Sequence, residues 1–199
     1  MIWKILLTIF FVLMNAFFVA AEFAIVKVRS SSVELAVRSG SGIAKISQHI
    51  VTHLNTYLSA TQLGITIASL ALGWIGESVV GDIIIDIMAL FGVNVSVQSA
   101  HQIAFPLAFI IITFLHIVFG ELAPKSLAIQ YPEKVTNFVS IPLRIFQIIF
   151  GPIVWALNSF ANFVIKLAGI EVSTETAVVH SPEELMVIVE ESTQKGVIA

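Results

Sequence analysis

The chain has 199 residues, 57% of them hydrophobic and 12% charged, with a mean hydropathy of +0.97. A soluble domain of this length needs far more polar surface, so the composition points to an integral membrane protein. A net charge of −3 and a pI near 5.9 give no basis for nucleic-acid binding, and the absence of cysteine removes disulfides, thiolate metal sites and cysteine nucleophiles together.

Charge-free windows run over 5–21, 46–76, 87–120 and 145–165. A helix needs about 20 mostly apolar residues to cross the hydrocarbon core. The first window reaches that length only if Glu22 is taken inside it and the span runs on to Val26. "VAA" at 19–21 looks like a signal-cleavage site, but the apolar run continues past it through "FAIV", too long for a signal core. On this first span Asn15 and Glu22 lie seven residues apart and share a face. An acid inside a membrane segment has a partner or a task. Pairing with Lys27 or Arg29 and a place on an ion pathway are the two readings of Glu22.

The second span is predicted over 53–75, ending at "GWIG". Asn55, Ser59, Gln62, Thr66 and Ser69 recur along it at steps of four, three, four and three, which puts all five on one helical face. Interhelical hydrogen bonding and a hydrophilic ion path both account for such a stripe. Another face carries Ala60, Gly64 and Ala68, and the first span carries Ala16, Ala20 and Ala24. Small residues four apart let helices approach closely, so a compact bundle with the polar stripe turned inward is predicted. Beyond it, Asp82 and Asp86 sit one turn apart in "VVGDIIIDIMALF" (79–91), which reads as a separate amphipathic helix in the outer interface.

The third span is predicted over 103–121. Basic residues follow the first span (Lys27, Arg29, Arg38, Lys45) and the third (Lys125, Lys134), and the intervening loop around 92–102 has none. By the positive-inside rule the N-terminus is outside, and 27–48 and the C-terminal part are cytoplasmic, in a cell (inner) membrane. The fourth window is interrupted by Pro142 and Pro152 and diluted by Gln147, Asn158 and Asn162. It reads as kinked helices in the inner interface. The segment 171–199 is soluble in character. Its "HSPEELMVIVEES" (180–192) has Ser181 as N-cap, Pro182 at the first helical position and Glu184 for a capping box. A helix beginning so cleanly leads us to expect further chain after it, with 1–170 as the transmembrane domain and 171–199 as the start of a cytoplasmic linker.

The third span ends on "FGELAPKS" (119–126). Proline has no N–H, so Pro124 cannot bond to the carbonyl four residues earlier, that of Gly120. A free carbonyl beside the Glu121 carboxylate is either an ordinary helix C-terminus or the start of a hard-cation site. Irregular backbone at membrane depth is tolerated where it lines a cavity or coordinates an ion, and a cation such as Mg²⁺ takes oxygen ligands. His116 lies one turn before Gly120, facing either the path or a neighbouring helix. His49 and His53 have the spacing of a helical metal pair but no Glu between them and no third ligand, unlike the "HExxH" of a metalloprotease. No nucleophile motif or phosphate loop appears, so an enzyme is not expected.

"GELAPKSLAIQYPEKV" (120–135), "LSATQLGITIASLALGWIGE" (58–77) and "NAFFVAAEFAIVKVRSSSVE" (15–34) together resemble the membrane domain of the CNNM/CorC family of magnesium transporters. The resemblance covers nearly the whole chain. It implies an all-α homodimer, with three crossing helices plus interfacial and juxtamembrane helices, that transports Mg²⁺, with Na⁺-coupled export as the mode. It implies further that ATP-binding cytoplasmic CBS domains follow in the parent protein and are absent from this chain. Carried over residue by residue, the family's Gly-Glu pair falls on Gly120 and Glu121, its first-helix polar position on Asn15, and its second-helix polar positions on Ile65 and Ser69. Ile65 ligates nothing, which leaves Thr66 as a replacement. The metal set is therefore Asn15, Ser69, Gly120 and Glu121, with Glu22, Ser59, Gln62, Thr66 and His116 of second rank. The alternative is a non-transporting dimeric anchor or Mg²⁺ sensor acting through those cytoplasmic domains.

Overall fold

The computed structural model describes residues 2–92, 97–168 and 186, and every element among them is helical. In chain order these are α1 (Ile2–Lys27), α2 (Ser30–Arg38), α3 (Gly42–Thr52), α4 (Leu54–Leu90), α5 (Val97–Leu115), a π-helical segment (His116–Leu122), α6 (Ala123–Gln130) and α7 (Pro132–Leu167). Residues 1–158 form one compact unit and 159–199 another. Of the second, the described residues 159–168 are the exposed last turns of α7 and Met186 is an exposed helical residue. The predicted cap at Ser181 and the linker 171–199 otherwise lie outside the described residues.

Among the described residues, four helical stretches are long and apolar enough to cross a membrane: Ile2–Lys27, Leu54–Met88, Gln102–Gln130 and Pro132–Leu167. Their outward faces carry large apolar side chains such as Leu70, Phe109, Phe138 and Ile148, each more than half exposed, as a lipid-facing surface does.

Two predicted boundaries are corrected. The segment 79–91 is no separate interfacial helix, because α4 continues without a break to Leu90. Neither Gly73 nor Gly76 ends it, and at 1.5 Å per residue its 37 residues reach about 55 Å, well beyond a 30 Å core. Gly76 instead lets α5 come close: a Cβ there would stand 2.9 Å from the Ile112 side chain. Ala104, Ala108 and Ile112 form the matching buried ridge of α5. The fourth window likewise forms one helix, α7, with Pro142 and Pro152 inside it. One stripe of α7 (Thr136, Val139, Ser140, Leu143) is buried.

The core sits where α1, α3, α4 and α7 meet. Phe18, Ala21, Ile25, Ile50, Tyr57, Val139 and Leu143 form it. Ala60, Gly64 and Ala68 are all buried, and a Cβ on Gly64 would lie 2.6 Å from the Phe18 ring, so this ridge packs as its spacing predicts. The Phe18 ring also meets Phe146 of α7 edge-on at 4.6 Å between centroids. On α1 only Ala24 of the small-residue series is fully buried; Ala16 and Ala20 are half-buried and line a groove instead. The turn before α3 follows local rules: Gly40 takes a φ of +89°, and the Ser41 hydroxyl accepts from the Ala44 N–H at 3.3 Å as N-cap. Ser47 on α3 then bonds Ser140 of α7 through their hydroxyls at 2.8 Å.

Candidate cation site

The π-helical segment is where the proline acts. Ala123 N–H donates to the Val118 carbonyl five residues back, so the turn just before Pro124 is one residue wider than an α-turn. The wide turn accommodates a residue that has no N–H and whose ring would press on the carbonyl four residues earlier. The Gly120 carbonyl is thereby available to a partner outside its own helix. That partner is Asn15 of α1, whose Nδ2 donates to the Gly120 oxygen at 2.9 Å. The Asn15 Oδ1 in turn accepts from the Ser69 hydroxyl of α4 at 3.0 Å. Asn15 is 2% exposed and Gly120 is buried, so α1, α4 and the π-segment converge on one enclosed polar cluster.

Glycine at 120 is a steric requirement. A Cβ there would lie 2.7 Å from His116 Cδ2 and 3.2 Å from Asn15 Nδ2. The His116 ring and the Asn15 amide therefore both close over the hydrogen side of Gly120. The His116 Nε2 is buried with no hydrogen-bond partner among the described residues. Ser69, Thr113 and His116 line a cleft of about 320 Å³ between α4 and α5, with Leu72, Gly73, Phe109 and Ile112 as its apolar wall.

Glu121 departs from the expectation of a carboxylate inside the bundle. It is exposed, because one residue beyond Gly120 is about a quarter-turn around the axis from the Asn15-facing side. It makes no ion pair among the described residues; nearby Lys125 instead stacks over the Phe23 ring at 4.5 Å. Three of the four first-rank residues are thus brought together, and Glu121 borders them through the chain.

The polar stripe of α4 is not turned wholly inward. Ser69 reaches Asn15, and Ser59 donates to Asn158 Oδ1 of α7 at 2.9 Å. Asn55, Gln62 and Thr66 are exposed, the Thr66 hydroxyl bonding back to the Gln62 carbonyl. Ile65, beside Thr66, packs against the apolar core. The stripe fails to point one way because each neighbour, α1 at Ser69 and α7 at Ser59, covers only part of the helix. Glu22 is half-buried with no ion pair to Lys27 or Arg29 among the described residues.

Elsewhere, Asp82 pairs with Lys4 at 3.5 Å, which puts the start of α1 and the late part of α4 at the same end of the bundle. His49 and His53 hold their rings 4.3 Å apart, but no group of three or more His, Asp or Glu that could hold a metal exists among the described residues. Desolvation first, then the neighbouring His53 and Arg144, lower the His49 pKa below its usual value and favour the neutral ring. Sequence reasoning missed Asn158 and the Ser47–Ser140 contact as partners. The signal available was the period of Thr136, Val139, Ser140 and Leu143 along α7.

The family model for the cyclin M transmembrane N-terminal domain (CNNM) matches residues 6–199. Curated relatives include the UPF0053 proteins YrkA (43% identical over 187 residues, 94% of this chain and 43% of the relative) and YugS (45% over 184 residues, 92% and 42%), both from Bacillus subtilis strain 168. A third, YhdP of the same organism, is 41% identical over 195 residues, 98% of this chain and 44% of the relative. The chain spans less than half the length of these relatives. A family match over nearly the whole chain, with relatives above 40% identity, makes this chain a member of the CNNM family and a membrane protein.

Proposed function

We propose that this domain moves Mg²⁺ across the cell membrane, as the transmembrane part of a Na⁺-coupled exporter. The observation that carries the reading is the Asn15–Gly120 contact: the main-chain carbonyl before Pro124 accepts from a buried amide whose own oxygen accepts from the Ser69 hydroxyl. Carbonyl, amide and hydroxyl oxygens suit a hard cation. The Asn15 N–H holds the position on the Gly120 oxygen that a cation would take. A half-turn of the amide would replace that donor with Oδ1. The Glu121 carboxylate, with three side-chain torsions and no ion pair among the described residues to break, would then supply the charge from the exposed edge. In this reading three helices cross, α7 lies along the inner interface, and the N-terminus is outside. Two copies assemble with Gln62 and Thr66 facing a shared path, and the CBS domains regulate from the cytoplasm.

The test is Mg²⁺ flux in proteoliposomes with and without an opposing Na⁺ gradient, beside Glu121→Gln. Transport that depends on the gradient and is lost in the variant, with Mg²⁺-dependent thermal protection lost too, is the expected result. No flux from well-folded wild type would favour the non-transporting anchor or sensor. Undiminished protection in Glu121→Gln would place the ion elsewhere, with Asp82 and Asp86 next in line.

A further inference from the structure

A long apolar groove of about 940 Å³ runs between α1, the π-segment with α6, and α7. Its floor is Ala16 and Ala20, and Phe119, Leu127 and Phe138 stand among its walls. At one end Tyr131 and Lys134 close it. The same two residues line a second cleft, of about 440 Å³, together with the charged Lys27, Arg29 and Glu133. The groove and the cleft are therefore contiguous. Leu13 in the groove and Lys27 in the cleft are 14 residues apart on α1, about 21 Å along the axis.

The charge of the cleft is lopsided. Lys27, Arg29 and Lys134 are exposed and take part in no ion pair among the described residues. Among the described residues Glu133 is the only acid lining it, and Lys134 rests over the Tyr131 ring at 5.5 Å. Three cations against one carboxylate at the mouth of an apolar groove match a molecule with an anionic head and a long hydrocarbon tail. Basic pockets between membrane helices bind acidic lipid headgroups for this reason.

We propose that groove and cleft together form a binding site for one anionic phospholipid, its acyl chain along Ala16 and Ala20 and its phosphate among Lys27, Arg29 and Lys134. The small residues at 16 and 20 that are not used for helix packing leave the floor low enough for the chain. The Tyr131 ring marks the level where hydrocarbon gives way to headgroup, as aromatic side chains do at membrane interfaces. The proposal is independent of the cation reading.

The experiment is native mass spectrometry of the full-length protein in detergent, titrated with phosphatidylglycerol, phosphatidylcholine or glycerol phosphate. Phosphatidylglycerol is expected to be retained in preference to phosphatidylcholine, and glycerol phosphate without acyl chains should not compete. Lys134→Gln should weaken retention roughly fivefold, and the triple change at Lys27, Arg29 and Lys134 to Gln roughly a hundredfold. Glu133→Gln should strengthen it. Ala16→Leu should displace both lipids by filling the floor, and Leu127→Trp on the exposed wall does the same if Ala16→Leu folds poorly. Equal retention of the two lipids, an unchanged triple variant, or competition by glycerol phosphate would overturn the proposal. Loss of dimer in step with loss of lipid in the groove variants would assign the groove to a second copy instead.

Discussion

The Asn15 side chain bridges two residues that lie 54 and 105 positions away in sequence, donating to the Gly120 carbonyl at 2.9 Å and accepting from Ser69 at 3.0 Å. Among the described residues it is the one polar side chain of α1 that bonds both α4 and the π-segment. Replacing it by the similarly sized Leu strands a buried carbonyl and a hydroxyl together. Interhelical hydrogen bonds in bilayers average about 0.6 kcal/mol, and an unsatisfied buried group costs about 1–3 kcal/mol. Asn15→Leu is expected to fall between these, near 1 kcal/mol, with a folded protein that no longer gains thermal stability from Mg²⁺. A retained Mg²⁺ shift in thermal unfolding would remove Asn15 from the ligand set.

Gly120 and His116 form a steric pair. A methyl group at 120 would sit 2.7 Å from His116 Cδ2, and overpacking of this kind costs about 1–3 kcal/mol. Gly120→Ala should be destabilised by that amount, and Gly120→Ala with His116→Ala should recover most of it. A double variant no more stable than Gly120→Ala would mean that the main chain of the π-turn, rather than the imidazole, refuses the methyl.

Two faces of α4 predict opposite phenotypes. Gly64→Leu drives a side chain into the Phe18 ring, whose carbons stand 2.6 Å from where a Cβ would be, so it should lower the melting temperature and yield of folded protein. Gln62→Leu and Thr66→Val are exposed changes, expected within about 0.5 kcal/mol of wild-type protomer stability, yet they should reduce transport. Full transport by the double variant Gln62→Leu/Thr66→Val would take these two residues off the ion path.

Topology can be read chemically because the chain has no cysteine of its own. Single cysteines at Ser41, Gln98 and Thr193 are to be challenged with an impermeant thiol reagent on intact cells. Gln98 should label from outside, and Ser41 and Thr193 only after permeabilisation. Outside labelling of Thr193 would mean that α7 crosses the membrane.

The sequence by itself determined the class of the protein and most of its helices. Hydropathy and helical period are local properties, so the charge-free windows mapped onto the long helices, and the Ala60–Gly64–Ala68 ridge packed as its spacing required. The freed Gly120 carbonyl was also legible, because a missing N–H at Pro124 is a covalent fact. What took that carbonyl could not be read from spacing. Asn15 and Ser69 entered the site through resemblance, since partners so far apart in sequence meet only when three helices pack.

Tertiary structure alone decided which way each polar residue points. A face shared by five residues of α4 is divided among Asn15, Asn158 and the exposed surface, because each neighbour covers only part of a helix. The same packing leaves Glu121 at the exposed edge while enclosing Gly120, and it carries α4 past two glycines that look like an end in sequence. A glycine ends a helix where its backbone turns to positive φ, and neither Gly73 nor Gly76 does so. Here Ile112 of α5 fills the space at Gly76, and the helix goes on.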